Sequence, residues 1–374
     1  MNPRAITGVG VASPLGVGRL AFFASMQAGA RAAPVAGRAE VPAFDATAYL
    51  GDKGLRSLDR LTKLLLVATR LALHDARLKV DGAWTQAGPK GDQVGLVCSN
   101  AYGSLEAITE LDRVAILEDP RYINPSRFPL TVANSAAGYA SIWEDLRAVN
   151  VTISDGNCGG LDAIACADSL LGQERAEAIV VGGAEAMSEA LLLAFQRTGA
   201  LGGEAFLGEG AALVTLERLE GARARGASVL AEVTGYGTAF YPPERESSLV
   251  FPSAEAMEQA VRAALADAGV HAADVDAVVC GASGLAAFDE AELSGICRGL
   301  EGEAPAVVAP KRALGETVGA GGAMGVLTAM SVLQGGARGY GLRGALRTEA
   351  RTVLITCLGY YGNASALVMG RSSR

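Results

Sequence analysis

The chain has 374 residues, of which 50% are apolar and 5% aromatic, and its formal net charge is -8. This length suits one large α/β unit or two fused halves with a sizeable core. The chain is acidic overall and contains no basic run, so nucleic-acid binding is excluded from the expected functions.

The start of the chain and its cysteines indicate a cytoplasmic protein. The opening MNPRAITGVG lacks the apolar stretch of a secretory signal. The longest uncharged run, residues 317–337, is broken by glycines and predicts a buried helix, not a membrane span. No cysteine pair has CxxC or zinc-ligand spacing, so we expect reduced thiols and neither a metal nor another cofactor. The six cysteines are Cys98, Cys158, Cys166, Cys280, Cys297 and Cys357.

The first half of the chain predicts five elements in order. Apolar residues at helical spacing over 61–72 predict an amphipathic helix, and VGLVCSNA (94–101) predicts a buried strand. A turn then leads into a helix of small residues, GNCGGLDAIACADSLL (156–171). Two apolar strands follow, AIVVGGAEA (178–186) and AALVTLE (211–217).

The second half predicts the same five elements in the same order. An amphipathic helix over 257–265 is predicted to end at Gly269 as its C-cap, and the strand DAVVCGAS (276–283) follows. The small-residue helix is LGETVGAGGAMGVLTAMSVL (314–333), and the last strands are TVLITCLGYYG (352–362) and SALVMG (365–370).

The repeated order predicts an internal duplication, with halves at 1–220 and 221–374 joined near residues 218–232. Strands this apolar are buried on both faces, so helices must cover both sides of the sheets. Cys158 and Glu316 stand at equivalent positions, each at the start of a small-residue helix, and pseudo-symmetry would bring them to one site. An exposed thiol there would have a lowered pKa, because a helix N-terminus favours an anion.

Four stretches together resemble the β-ketoacyl synthases of the thiolase fold, and the resemblance covers nearly the whole chain. They are ITGVGVASPLG (6–16), FLGEGAALVTLE (206–217), VDAVVCGASGLAAFDEAE (275–292) and APKRALGETVGAGGA (309–323). The resemblance implies a thiolase-like α/β fold, with duplicated halves in a five-layer αβαβα arrangement.

In that family a cysteine holds the acyl chain, and two histidines stabilise the enolate formed when the malonyl group loses carbon dioxide. The resemblance places Cys158 at the cysteine position and Lys311 at the family's lysine. It places Gly281 at the first histidine position and Glu316 at the second. Neither residue offers a donor to a developing oxyanion, so decarboxylative condensation should be lost. The two histidines present, His74 and His271, are expected to be ordinary surface or helix-end residues.

This pattern is similar to the chain length factors, the inactive partner subunits of type II polyketide ketosynthases. The retained cysteine and the glutamate look more like partner subunits of polyene-forming systems, including aryl polyene pathways. The resemblance implies a heterodimer with an active ketosynthase, contact with an acyl carrier protein through that complex, and a role in shaping the tunnel for the growing chain.

The resemblance also suggests where the tunnel and its gate loop would lie. One apolar helix face and one loop are the candidates for the tunnel floor, with the loop residues expected to point inward. At the gate loop, Leu358 takes the position of the family's phenylalanine, and two tyrosines fill the turn. The tunnel candidates are Leu105, Ile108, Leu111, Phe128 and Thr131, and the gate-loop tyrosines are Tyr360 and Tyr361.

Alternatives stay open from the sequence alone. Cys158 is either a live nucleophile or a small residue retained in a buried turn. If Cys158 is a nucleophile and Glu316 its base, the chain would be a stand-alone acyltransferase. A third possibility is a homodimer with a structural role only, which needs neither a nucleophile nor a base. Lys311 is expected to pair with Glu209 or Glu316. Two further acidic residues, Asp289 and Glu292, are expected to orient a loop.

Overall fold

The computed structural model describes residues 1–201, 204–243, 245, 250–303 and 305–372. In the first half the helices and strands are β1 (Arg4–Ser13), β2 (Gly16–Val17), α1 (Arg19–Ala28), β3 (Arg38–Ala39), α2 (Thr47–Leu50), α3 (Arg60–Asp75), β4 (Lys79–Val80), β5 (Ala83–Trp84), β6 (Val94–Ser99), α4 (Leu105–Leu117), α5 (Ser135–Glu144), β7 (Asn150–Ile153), α6 (Gly159–Gly172), β8 (Ala178–Glu185), α7 (Glu189–Arg197), β9 (Leu207–Gly208), β10 (Gly210–Arg218) and α8 (Leu219–Ala224).

The second half continues with β11 (Ala231–Phe240), α9 (Ala254–Ala268), β12 (Ala277–Val279), α10 (Ala286–Gly299), β13 (Ala306–Val308), α11 (Lys311–Leu314), α12 (Gly321–Leu333), β14 (Gly341–Arg343), β15 (Thr352–Leu358) and β16 (Asn363–Gly370). Two of the 3₁₀ segments bear on the candidate site, Pro125–Thr131 and Val318–Ala320. The helix α8 connects β10 to β11, and the division of the chain at residues 220 and 221 stays a prediction.

The strands repeat one arrangement in the two halves. The first half has the spatial order β1-β10-β8-β6-β7, and the second has β11-β16-β15-β12-β13. In each half one strand is parallel to both of its neighbours, β6 to β7 and β8, and β12 to β13 and β15. The two halves meet where β1 pairs with β11 over only three residues. This confirms the thiolase-like α/β fold.

Helices cover both faces of each half-sheet, which gives the five layers. The helix α3 packs on β1 and β10, and α9 packs on β11 and β16. Between the half-sheets lie α6 and α12, which touch each other and strands of both halves. A Cβ at Gly160 of α6 would lie 2.6 Å from the Ala323 nitrogen of α12, so only glycine permits this close approach. Small residues therefore set the spacing of the central layer.

Local signals explain where the outer helices begin and end. The Asp59 side chain accepts a hydrogen bond from the Thr62 N–H and so caps α3, and Ser253 caps α9 by accepting from the Ala256 N–H. Gly269 ends α9 with a left-handed φ of 64°, as the sequence predicts. The run 317–337 contains α12, whose thirteen residues are all buried. Among the described residues, no helix is long and apolar enough to cross a membrane.

The strand β7 lies at one end of the sheet order and pairs only with β6 among the described strands. Its outer edge therefore carries backbone groups with no strand to pair with, and such edges invite pairing with another chain. The chain turns from this edge directly into Cys158, so edge and candidate site are neighbours in space.

Candidate active site

Cys158 lies immediately before α6 and is completely buried. Its Sγ donates a hydrogen bond to the Cys357 carbonyl oxygen at 3.3 Å. Burial raises the pKa of this thiol well above its ordinary value, and the charge of Asp162 raises it further. A lowered pKa was expected for Cys158 only if its thiol were exposed, and it is not. In the structure desolvation outweighs the helix N-terminus, whose effect is only about 0.3–1 kcal/mol.

Lys311 and Glu316 form a buried ion pair. Lys311 Nζ donates to Glu316 Oε1 at 2.7 Å, and the two side chains are only 2% and 3% exposed. The same oxygen accepts the Val318 N–H at 2.8 Å. Burial alone would lower the pKa of Lys311, but the Glu316 carboxylate, together with Cys357 and Glu292, outweighs burial and raises the pKa. Glu209, the other candidate partner, pairs with Arg60 at 2.8 Å instead.

Glu316 was expected to stand at the start of its helix, as Cys158 does at the start of α6. In the structure Glu316 lies before α12 and outside it. The helix begins five residues later, at Gly321, after the 3₁₀ segment Val318–Ala320. Val318 has a φ of 44°, which is strained for a β-branched residue and interrupts regular helix at this point. The segment is held from two sides, because Glu316 accepts the Val318 N–H and Glu185 accepts the Gly319 N–H at 3.2 Å.

Gly281 follows β12 and its N–H donates to Glu292 Oε1 at 2.8 Å. A Cβ at Gly281 would lie 3.2–3.3 Å from the Glu292 carboxylate oxygens, so any side chain there requires Glu292 to move. The Thr356 hydroxyl also donates to Glu292, at 2.7 Å. Asp289 accepts the N–H groups of Ser283 and Gly284, each at 3.0 Å. Both acidic residues therefore hold the loop after β12 in place.

Two buried carboxyl groups, Glu185 and Glu292, and the half-buried Asp162 surround the site, and the sequence analysis missed Glu185 and Asp162. Burial raises the pKa of Glu292 to about 7 and that of Glu185 to about 7. The pKa of Asp162 is also raised to about 7, by burial and then by Asp155. Asp162 accepts hydrogen bonds from the Tyr236 and Ser365 hydroxyls, each at 2.6 Å. Its position four residues after Cys158, on the same face of α6, was the signal available in the sequence.

The gate loop closes over Cys158. Its carbonyl groups at Cys357 and Leu358 accept hydrogen bonds from Cys158 Sγ and Asn157 Nδ2, the latter at 3.3 Å. The Leu358 side chain is buried in the core of the second half. Tyr360 is instead the loop residue that lines a neighbouring cavity of about 610 Å³, together with Tyr361. Tyr360 is therefore the gate-loop residue at the cavity, and Leu358 as the gate stays a prediction.

Tyr360 stands between this cavity and the residues around Cys158. Its ring is edge-on to Phe288 and Phe195, with centroid distances of 5.3 and 6.2 Å. Burial raises its pKa well above the ordinary value, and the Glu316 carboxylate raises it further. Cys158 is not among the described residues that line the cavity. An open route from the cavity to the thiol would require Tyr360 to move.

The tunnel candidates divide between α4 and the 3₁₀ segment Pro125–Thr131. Leu105 packs in a small apolar cluster with Phe195. Phe128 is 64% exposed and does not point into this chain, in contrast to the inward orientation expected for it. The buried residue of its segment is Leu130. The other candidates, Ile108, Leu111 and Thr131, are half-buried.

Neither histidine reaches the site. His74 is exposed in the last turn of α3, and His271 is exposed before a short 3₁₀ turn. The expectation that both are ordinary surface residues agrees with these positions. The site therefore contains a buried thiol, a neutralising Lys–Glu pair and a glycine bound to a carboxyl group.

Two protein-family models match the chain. Residues 1–222 match the β-ketoacyl synthase N-terminal domain, and residues 230–338 match the β-ketoacyl synthase C-terminal domain. The chain belongs to the β-ketoacyl synthase family.

Curated relatives of this family member are named as 3-oxoacyl-[acyl-carrier-protein] synthases. It is 32% identical over 316 residues to 3-oxoacyl-[acyl-carrier-protein] synthase 2 of Vibrio cholerae, covering 78% of this chain and 74% of that protein. It is 31% identical to the protein of the same name in Rhizobium meliloti, covering 85% and 83%.

Solved structures place its fold among ketosynthases. The ishigamide ketosynthase/chain length factor superposes with a TM-score of 0.88 at 24% identity, and a β-ketoacyl synthase from Burkholderia phymatum superposes with 0.84 at 23%. A type II ketosynthase in complex with its acyl-carrier protein, AntDE:AntF, superposes with 0.81 at 20%. Each match covers 100% of both chains.

The environment of the cysteines gives a direct test of the site. We expect iodoacetamide at neutral pH to alkylate the exposed Cys297 at least about 100-fold faster than the buried Cys158, whose thiolate is scarce. Peptide mass spectrometry over a time course measures both rates. The variant Cys297→Ser should lose the fast reaction and leave the slow one unchanged. Rapid labelling of Cys158 in the folded protein would contradict the closed site.

Proposed function

We propose that the chain is a cytoplasmic, non-condensing ketosynthase-like subunit that pairs with an active β-ketoacyl synthase and shapes the tunnel for a growing polyketide or polyene chain. In this role it acts as a chain length factor, and the acyl carrier protein docks on the complex. The observation that carries the proposal is the state of the two positions that bear histidines in condensing relatives. Gly281 has no side chain, and Glu316 is bound to Lys311.

The chemistry of these positions argues against condensation by this chain alone. Stabilising an enolate requires hydrogen-bond donors or positive charge directed at the developing oxyanion. The positive charge of Lys311 is committed to Glu316 at 2.7 Å. The Gly281 N–H is committed to Glu292 at 2.8 Å. Both potential donors are therefore already engaged.

The same contacts disfavour a stand-alone acyltransferase that would use Cys158 and Glu316. A base that activates a thiol must lie within hydrogen-bond reach of it. The Cys158 thiol donates to the Cys357 carbonyl, and Glu316 Oε1 accepts from Lys311 and Val318. The resemblance to a ketosynthase/chain length factor supports the subunit role, whereas the names of the sequence relatives favour a condensing synthase. The subunit role and a condensing activity are therefore tested by separate experiments.

The surface beside β7 supports association with another chain. Large apolar side chains are exposed on α4, α5 and the segments between them, close to the unpaired edge of β7. They are Ile116, Leu117, Tyr122, Phe128, Val132 and Ile142. Single exposed apolar residues are ordinary, but several on elements that pack together beside an open strand edge are typical of an interface.

Co-expression with an active ketosynthase is expected to yield a stable heterodimer that survives size-exclusion chromatography. Ile142→Glu should weaken the complex by about tenfold or more, because a charge replaces an apolar interface residue. Leu20→Glu on α1 is the matched control, since Leu20 is 80% exposed and Ile142 is 81% exposed. A homodimer in place of the heterodimer, or equal effects of the two variants, would contradict the proposed partner.

Product length tests the tunnel role. In the complex, Phe128→Ala should lengthen the product and leave the heterodimer intact, because it removes bulk from a residue that this chain does not bury. The control is Leu130→Ala, at the buried residue of the same segment, which should cost about 2–5 kcal/mol of stability without changing product length. Products are measured by mass spectrometry. If substitutions at Leu105, Ile108 and Phe128 alter yield alone, the tunnel role is wrong.

A further inference from the structure

Two aspartates bracket Cys158 in the sequence and meet in the structure. Asp155 lies in the turn between β7 and α6, and Asp162 lies on the first turn of α6. Both hold the Cys158 backbone, since its N–H donates to the Asp155 carbonyl at 3.2 Å and its carbonyl accepts the Asp162 N–H at 3.1 Å. Their carboxyl groups also hydrogen-bond to each other, and such a contact needs a proton on one of them. The two aspartates have no part in the function proposed above.

The second half of the chain fixes both carboxyl groups. Asp162 Oδ1 accepts hydrogen bonds from the hydroxyls of Tyr236 on β11 and Ser365 on β16, each at 2.6 Å. The two Asp155 oxygens accept from Asn363 Nδ2 at 3.0 and 3.1 Å. Asn363 and Ser365 are two residues apart on β16 and therefore lie on the same face of that strand. This face holds the two carboxyl groups side by side.

No positive charge neutralises the pair. Within the described part of the chain neither aspartate forms an ion pair, and the titratable groups that face Asp162 are Asp155, Cys158, Tyr236 and Cys357. The helix α12 and the strands β7 and β16 pack on α6 and contain no titratable residue. The titratable residues on the other strands packed against α6 bond elsewhere; they are Cys98, Glu185, Glu217 and Arg218. Two carboxylates in this position would repel each other, so the contact depends on the proton.

The turn that carries Asp155, residues 154–157, is held by weak contacts. The Cys158 N–H reaches the Asp155 carbonyl at 3.2 Å and the Gly159 N–H reaches the Gly156 carbonyl at 3.4 Å, both longer than the usual 2.9–3.0 Å. The Asn157 side chain adds a bond of 3.3 Å to the carbonyl of the residue that ends β15. A change at the Asp155 carboxyl group therefore acts directly on the turn that precedes the buried thiol.

We propose that a proton shared by Asp155 and Asp162 holds the turn of residues 154–157 closed, and that loss of this proton loosens the turn and exposes Cys158 to solvent. Burial raises the pKa of Asp162 to about 7, and the hydrogen bond with Asp155 contributes to the rise. An aspartate released into water titrates near pH 4, so opening of the turn releases a proton between about pH 4 and about pH 7. The open form should therefore become about tenfold more populated for each pH unit in this range and level off above it.

The test labels the full chain with N-ethylmaleimide from about pH 5.5 to about pH 8.5 and compares Cys158 with the exposed Cys297 by peptide mass spectrometry. The ratio of the two rates removes the pH dependence that both thiols share. We expect this ratio to rise about tenfold for each pH unit up to about pH 7 and then to level off. In Asp162→Asn the ratio should stay at its low-pH value, because the amide donates to Asp155 at every pH. Glu185→Gln is the control and should keep the rise, since burial also raises the pKa of Glu185 to about 7 but this residue lies outside the hydrogen-bond network of the turn.

A second variant covers the case in which Asp162→Asn does not fold. Tyr236→Phe removes a hydroxyl that stabilises the Asp162 carboxylate, so the pH at which the ratio levels off should move upward. A ratio that does not change with pH, a rise that persists in Asp162→Asn or disappears in Glu185→Gln, or an unchanged level-off in Tyr236→Phe overturns the proposal. Because no condensation is measured, these outcomes do not depend on the proposed function.

Discussion

Malonyl-carrier protein is expected to lose carbon dioxide at a negligible rate when this chain is the only ketosynthase-like protein added. Removal of one oxyanion donor typically costs about 10²–10³ in rate, so the absence of both should leave a rate at least about 10⁴-fold below that of a histidine-bearing synthase. The structure gives the reason, because Gly281 has no side chain and Glu316 carries a carboxylate bound to Lys311. Release of labelled carbon dioxide measures the rate directly.

The control for this experiment is the same assay on the complex with an active ketosynthase, which should decarboxylate at an ordinary rate. Adding Glu316→Gln to the complex should leave that rate largely unchanged, provided that the subunit still folds, because the chemistry resides in the partner. A rate for the chain alone within tenfold of an ordinary synthase would mean that other groups stabilise the enolate. The non-condensing role would then be wrong.

Glu316→Gln is expected to lower the free energy of unfolding by about 3–5 kcal/mol, because it leaves the buried Lys311 cation without a counter-charge. Both side chains are nearly inaccessible, and their nitrogen and oxygen atoms lie 2.7 Å apart. Burial by itself lowers the pKa of Lys311, so in the variant the lysine should lose its proton more readily. The folded variant then binds fewer protons than its unfolded state. The loss in free energy of unfolding should therefore shrink as pH rises.

Denaturant unfolding of the full chain measures the loss. Glu204→Gln is a matched control, because Glu204 pairs with the neighbouring Arg312 at 3.4 Å but is 74% exposed, and surface pairs of this kind contribute about 0–1 kcal/mol. The double variant Lys311→Met/Glu316→Gln should recover part of the stability by removing the cation as well. If Glu316→Gln costs no more than Glu204→Gln, the pair does not stabilise the fold.

The order of strands and helices could be predicted because it depends on local patterns that the sequence carries. Alternating amphipathic helices and apolar strands, and a cap such as Gly269, are properties of short segments. Pairing of Lys311 with a carboxylate was also expected, although the sequence left Glu209 and Glu316 open as its partner. The pattern could not fix the start of α12, because the segment around the strained Val318 is held partly by Glu185, a residue distant in sequence whose side chain accepts the Gly319 N–H.

The protonation states of the site could not be predicted, because burial is a property of the assembled fold. The sequence predicts only that Cys158 is a thiol at the start of a helix. The packing of the gate loop shows that this thiol is closed off from solvent. The surroundings of the gate-loop residues are likewise a property of the assembled fold, and Leu358 as the gate residue stays a prediction. Leu358 ends β15 and points into the core, whereas Tyr360 follows the turn.

The exposure of Phe128 illustrates a different limit. An apolar residue in a loop is usually expected to point into its own core, but the 3₁₀ segment Pro125–Thr131 buries Leu130 and leaves Phe128 outside. A surface that only a second chain would cover cannot be identified from one sequence, which carries no record of that chain. The exposure of Phe128 supports an interface only when it is considered together with the open edge of β7.

The carboxyl groups of Glu185, Glu292 and Asp162 make their part of folding a proton-consuming reaction. In the unfolded chain such groups titrate near pH 4, whereas each has a folded pKa of about 7. Between these values the folded state holds more protons than the unfolded state, so the free energy of unfolding falls as pH rises through this window. At neutral pH these groups are only partly ionised. The folded protein therefore carries less negative charge than the formal value of -8 counted from its residues.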